Sequence, residues 1–214
     1  MSLSALKEKV WLQLAVIYTR YLLGGTFVFA SLIKLKGHRF TSISGEGSPF
    51  HSAAHFFETM YQSGLYWQFI GLGQLVAGFL LMTQRYALAG ALAFLPIIAN
   101  IYVITISYPF GYTYIITAGM LLATVGLLVW DWNILRVLVQ QPLLTVPTSA
   151  LYRSRLWEMV GLVLFLYTAI YRTLTDVYNL LLWLGICVGI GMLGLLAAWF
   201  VHRRTIRAQA VRLP

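Results

Sequence analysis

RYLLGGTFVFASLIKLKG, residues 20–37, decides the fold. It opens with an arginine inside a long apolar run and closes on two lysines. At helical spacing Arg20, Gly24, Phe27, Ser31 and Lys34 fall at i, i+4, i+7, i+11 and i+14, on one face of an α-helix. Tyr21, Leu22, Leu23, Val28, Phe29, Leu32 and Ile33 occupy the other faces, which are expected to meet lipid. Charges inside a membrane are costly and usually face a bundle interior or a wet cavity. The Arg20 stripe is therefore expected to point inward. The other reading has Arg20 close enough to one membrane surface to snorkel.

The rest of the chain agrees with a membrane setting. Of 214 residues, 60% are hydrophobic and only 10% charged. The mean hydropathy is +0.79. A soluble domain of this length has no use for so much apolar surface. The net charge of +9 is carried at helix ends, where it sets orientation and meets lipid head groups rather than nucleic acid. Cys187 is the single cysteine, so no disulfide forms within the chain. The first apolar run is too long for a signal peptide, contains Arg20 and has no cleavage site after it, so it is expected to stay as the first span.

Six spans are expected, at about 11–33, 65–82, 87–107, 114–130, 157–171 and 177–201. The connection 37–64 is polar, with an amphipathic aromatic helix inside it (49–63 at its widest) lying at the membrane surface. Pro96 falls inside the third span, where a membrane helix tolerates it. Trp130 and Trp132 flank Asp131 as an interfacial belt. The connection 132–156 is expected to hold an interfacial helix near 134–144. Gly73 with Ala77, and Gly185 with Gly189, have the small-xxx-small spacing of close helix contacts. The fold class is thus all-α integral membrane. Residues 1–131 form a four-helix bundle, and 132–214 add a cytoplasmic connection, a helical hairpin and a basic tail.

Six spans put both termini on one side. Lys7, Lys9, Arg85, Arg136, Arg153, Arg155 and the tail arginines Arg203, Arg204, Arg207 and Arg212 share that side. Lys36, Arg39 and Arg172 lie opposite, with Lys34 at the membrane edge. The positive-inside rule makes the termini cytoplasmic and puts 37–64 outside.

Inside the membrane the polar groups are few: Arg20, Gln74 and Asn100, with Lys34 near the outer edge and Asp131 near the inner edge. Gln74 shares a face with Trp67, Gly71 and Gly78. Arg20 is expected to meet the amides of Gln74 and Asn100, with no carboxylate at that depth. Two uses are open: a hydrogen-bonded clamp between helices, or a pocket for a ligand's polar head lined by Arg20, Lys34, Gln74, Asn100 and Phe27. In the outer connection His51, His55 and Glu58 fall at i, i+4 and i+7. They suit a ligand's polar end or a docking partner better than a metal, since the full H-E-x-x-H pattern is absent. No phosphate loop, dinucleotide fingerprint or nucleophile elbow is present, and the four histidines lie outside the spans, against a bis-histidine haem.

Arg20, Gly24 or Gly25, Phe27, Ala30 and Lys34-Leu35, then Gly71-Leu72-Gly73-Gln74 and Gly78, resemble the DoxX family of small bacterial membrane proteins. HFFETMYQSGLYW, residues 55–67, is similar to members from Bacteroidetes-type bacteria. The resemblance covers about 11–131, and the last two spans are an addition to the family's usual four. It implies a place in the bacterial cytoplasmic membrane and a link to quinone-dependent oxidation. Family members commonly have glutamate where Gln74 stands, so a proton-transfer role there does not carry over. The function expected is an integral membrane subunit that binds a quinone or a lipid-like ligand. It would have no covalent cofactor, and redox centres would sit on partner subunits. The alternative is a non-catalytic structural or assembly subunit of an envelope complex. A transporter fits least, because one buried cation without an acidic relay leaves little to couple.

Overall fold

The computed structural model describes residues 6–40, 44–108, 111–142, 151 and 154–210. The described residues are helical, without strands. In chain order the helices are α1 (Val10–Leu35), α2 (Ala53–Gln62), α3 (Leu65–Met82), α4 (Ala87–Ser107), α5 (Thr113–Trp130), α6 (Arg155–Leu174) and α7 (Leu180–Ala210). A single α-turn, Trp132–Leu135, and a 3₁₀ turn, Arg136–Val139, follow α5. The interfacial helix expected near 134–144 is thus two short turns, ended by Gln140 in the left-handed conformation. Residues 143–150, Arg153 and Arg212 lie outside the described residues.

Among the described residues five helices are long and apolar enough to cross a membrane: α1, α3, α4, α5 and residues Leu180–Val201 of α7. The chain is a multi-pass membrane protein. Where six apolar spans were expected, α6 is long but falls short in apolarity, since it carries Arg155, Glu158 and Arg172. It nevertheless lies alongside α1 and points the same way. Near its start the Tyr21 hydroxyl donates to the Trp157 carbonyl. Near its end the Arg172 guanidinium lies 4.9 Å from the Phe29 ring.

α1, α3, α4 and α5 close into a ring, each touching the next and α5 returning to α1. Its core is Leu23, Phe27, Ala77, Leu81, Ala91, Phe94, Ile98 and Leu127, with Phe27 stacked on Phe94 at 3.5 Å. On the far side of α1 a second core joins Ile17, Tyr21, Val28 and Met82 to Trp157, Val160 and Leu164 of α6. α7 covers α6. α1 is therefore the hub, and this corrects the expectation for its outer faces. Tyr21, Leu23, Val28 and Ile33 are buried along with the Arg20 stripe, whereas Leu22 is exposed.

Lipid tails are as apolar as leucine, so close contact rather than hydrophobic exclusion holds such helices together. α1 and α3 meet at Gly24 and Gly78. A Cβ added at either would lie 2.7 Å from the other's carbonyl oxygen. Gly161 brings α6 against Met82 and Tyr21 in the same way. Gly185 and Gly189, expected at a contact, have open space where a Cβ would stand. On α7 the close approaches are at Gly191, to Tyr18, and at Gly194, to Val160.

Candidate functional site

The polar groups of the bundle separate into two clusters, one about ten residues into α1 and one at its C-terminal end. At the first, Arg20 is 2% exposed. Its Nη2 donates to Asp131 Oδ2 at 2.8 Å, and its Nη1 donates to Gln84 Oε1 at 3.1 Å. Gln84 reaches inward because α3 ends at Met82 and the chain turns through left-handed backbone at Gln84 (φ 58°). Its Nε2 donates in turn to the Ile17 carbonyl at 3.5 Å. Asp131 stands directly after the last residue of α5. The expectation that Arg20 pairs with Gln74 and Asn100, away from any carboxylate, is overturned. α1 starts ten residues before Arg20, so it overhangs its neighbours by about 15 Å. Arg20 then lies level with the ends of α3 and α5 rather than at their middles. A cavity of about 370 Å³ lies beside this pair, lined by Arg85, Ala87, Leu88, Ile134 and Glu158 as well.

Some 21 Å further along the axis by helical rise, Lys34 is 6% exposed. Its Nζ donates to the Ala30 carbonyl at 2.8 Å. It also lies 4.7 Å from the Phe40 ring and 5.1 Å from the Trp67 ring, contacts that hold a cation by the negative ring face. Gly37 (φ 69°) ends the helix and returns the chain, so that the His38 carbonyl accepts from Trp67 Nε1 at 2.9 Å. Gly71 makes room for Lys34, since a Cβ there would lie 2.9 Å from Lys34 Cβ.

Lys34, Phe27 and Gln74 line one cavity of about 300 Å³ inside the helix ring. Ile98, Ile101 and Thr105 of α4, and Ile116, Thr117 and Met120 of α5, form its far wall. The Thr105 and Thr117 hydroxyls are bonded to each other at 2.8 Å. Gln74 is 3% exposed, and its Oε1 is buried without a hydrogen-bond partner. α2 roofs the cavity through Phe57 and Met60. Asn100 takes no part, because its side chain is on the exposed face of α4.

The roof is fixed by one ion pair. Glu58 accepts from Arg39 Nε at 2.8 Å and Nη2 at 2.7 Å, and from the Gly45 N–H at 3.0 Å. The hydrogen bonds and charge of Arg39 hold the Glu58 carboxyl down at about 2. The expected His51–His55–Glu58 ladder does not form. The helix begins only at Ala53, capped by the Ser52 hydroxyl accepting from His55 N–H at 3.2 Å. His51 sits before it with φ 67° and packs, like His55, on Phe50. No cluster of three metal-ligating side chains occurs among the described residues.

Sequence reading named Lys34, Phe27 and Gln74, which line one cavity. It missed Gln84 and Arg172, the second of which is buried to 3% exposure beside Phe29 and Tyr178. No family model, no curated protein and no solved structure matches this chain.

Proposed function

We propose that the chain is a membrane subunit that binds a quinone, or a lipid-like ligand with a similar polar head, in the Lys34–Gln74 cavity. The observation that carries this is Gln74 Oε1, a buried acceptor without a donor on the wall of an apolar cavity. Such an unmet group costs about 1–3 kcal/mol. A ligand hydroxyl would satisfy it. Lys34 spends one N–H on Ala30 and an ammonium has three, so donors remain for a ligand carbonyl. A quinol offers the hydroxyl and a quinone the carbonyl. The ring would lie near Phe27, with the tail against Ile98, Ile101 and Met120. The size and the few convergent polar groups suit a small-molecule site.

In this reading α6 is a sixth crossing. Its 20 residues span about 30 Å, the thickness of the hydrocarbon core. Arg172 and Lys34 then sit at the outer side of a bacterial cytoplasmic membrane and both termini are cytoplasmic, as the charge asymmetry favours. The DoxX-like residues of α1 and α3 support membership of that family. Gln74 binds but has no proton to exchange at neutral pH, so a redox centre and its proton acceptor would belong to partner subunits. A second reading, a structural or assembly subunit, is favoured by the Arg20–Asp131–Gln84 cluster, whose groups bond to one another across three segments.

Trp67 lines the cavity, which provides the test. Quenching of Trp67 fluorescence by a short-chain quinone analogue should saturate in the reconstituted protein. Gln74→Leu should weaken it about tenfold, the equivalent of one hydrogen bond of about 1.4 kcal/mol, while Asn100→Leu should not. Equal quenching in all three would remove the quinone reading and leave the assembly one.

A further inference from the structure

The charges at the Lys34 end do not balance among the described residues. Glu46, Glu58 and Asp176 are the carboxylates there. Glu46 is exposed, and Glu58 is engaged by Arg39. Asp176 Oδ1 accepts from Lys36 Nζ at 2.9 Å, with His38 Nδ1 at 3.6 Å. Lys34 and Arg172 remain, buried at 6% and 3% exposure. Lys34 meets a carbonyl and two aromatic rings. Arg172 hydrogen-bonds only to neutral groups, and the one carboxylate near enough to attract it, Asp176, is already bonded to Lys36. Its Nη1 donates to the carbonyls of Thr175 at 2.9 Å and Asp176 at 3.2 Å. Its guanidinium lies 4.9 Å from the Phe29 ring and 4.4 Å from that of Tyr178. Its Nε is buried without a partner. Cation–π contacts contribute about 0.5–2 kcal/mol each, well short of the several kcal/mol per ion that burial costs.

Beside Arg172 lies a second cavity of about 190 Å³. It shares Thr26, Ala30 and Phe40 with the Lys34–Gln74 cavity but lies on the α7 side of α1, with Phe29, Ile33, Tyr178, Leu180 and Trp183 as its remaining wall. Leu180 is 52% exposed, so the cavity borders the surface that faces the membrane. α7 begins at Leu180, and the positive end of its dipole adds to the field of Arg172.

We propose that this second cavity binds the phosphate of an anionic membrane lipid, with Arg172 as its charge partner. A planar guanidinium with an unmet N–H suits a phosphate oxygen. The volume accommodates a phosphodiester and the first carbons attached to it, and the acyl chain continues over Leu180 and Trp183 into the bilayer. Apolar walls select an amphiphile over a free ion, which would leave its own hydration unmatched. The bound phosphate gives Arg172 a negative partner that it does not share with Lys36 and His38. It does not depend on a quinone in the neighbouring cavity.

Purified protein in neutral detergent, supplied with phosphatidylglycerol or phosphatidylcholine, tests this by native mass spectrometry and thermal unfolding. The wild type should retain phosphatidylglycerol about tenfold better than phosphatidylcholine, a 1.4 kcal/mol preference, and should melt higher with it. Arg172→Gln should lose both effects, and Arg172→Lys should keep part of the retention. If Arg172→Gln does not fold, quenching of wild-type fluorescence by brominated lipids decides, with Trp183→Phe identifying the share due to Trp183. Stronger quenching of Trp183 by brominated phosphatidylglycerol than by brominated phosphatidylcholine upholds the site. Equal quenching by the two lipids, or equal retention by wild type and Arg172→Gln, overturns it. Inorganic phosphate should neither displace the lipid nor raise the melting temperature. If it does both, the site takes a free anion and the lipid assignment is wrong.

Discussion

Asp131→Ala isolates the energetic role of the Arg20 cluster. Arg20 and Asp131 side chains are 3% and 10% exposed and their charged atoms are 2.8 Å apart. Removing one partner of a buried pair leaves an uncompensated charge, at a cost of about 3–5 kcal/mol. Two features hold the loss to the lower half of that range. Gln84 still accepts from Arg20, and the adjoining cavity of about 370 Å³ has room for water to solvate the stranded guanidinium. The expected loss is therefore about 3 kcal/mol for Asp131→Ala and about half that for Asp131→Asn, which keeps an acceptor. Unfolding by denaturant in mixed micelles measures both. Arg20→Gln combined with Asp131→Asn should be less damaging than the sum of the single changes by about 1–2 kcal/mol, because neither charge is then left alone. Additive single effects below about 0.5 kcal/mol would place the pair in solvent and refute the account of Arg20 as a buried clamp.

Gly78→Val should separate α1 from α3, because its Cβ would lie 2.7 Å from the Gly24 carbonyl oxygen. A loss of about 3 kcal/mol or failure to accumulate is expected, whereas Gly119→Ala, with open space around it, should be neutral or slightly stabilising by helix propensity; expression and thermal unfolding check both. The Glu58 carboxyl is lowered from 4.5 to about 2, so its pairing with Arg39 is complete above about pH 4.5 and is lost as the pH falls toward 2. Pepsin nicking within 44–62, normalised to an unfolded control, should rise across that window, and Glu58→Gln should be nicked readily even at pH 4.5. Reporter fusions after Arg85 and Gly111 should report opposite sides, the first cytoplasmic, and the reverse pattern would invert the orientation.

The helices were legible because apolar runs of span length separated by Gly37, Arg85 and Gly111 leave few alternatives. The Arg20–Lys34 stripe and the Trp67–Gly71–Gln74–Gly78 face were legible from helical period alone, and every one of those residues is buried. What failed was depth. Counting from the first apolar residue puts Arg20 near mid-membrane, but the overhang of α1 brings it level with Gln84 and Asp131 instead. Period also cannot say how many faces of a helix are covered. α1 is enclosed on nearly all sides because α6 packs behind it, and that follows from the fold of 154–210, not from 20–37. Arg172 looked like an ordinary turn residue, since nothing local signals that Phe29 and Tyr178 close over it. His51 and His55 failed for a simpler reason: the helix starts after His51, so helical spacing does not apply there.

The central claim is that the Lys34–Gln74 cavity holds a hydrophobic ligand with a polar head. Organic extraction of the protein purified from its native membrane, followed by mass spectrometry, tests it most directly. The account predicts one quinone or lipid species retained near one per chain, and largely lost from Gln74→Leu protein of normal stability. The same mixed lipids in both samples, in the proportions of the bulk membrane, would contradict it.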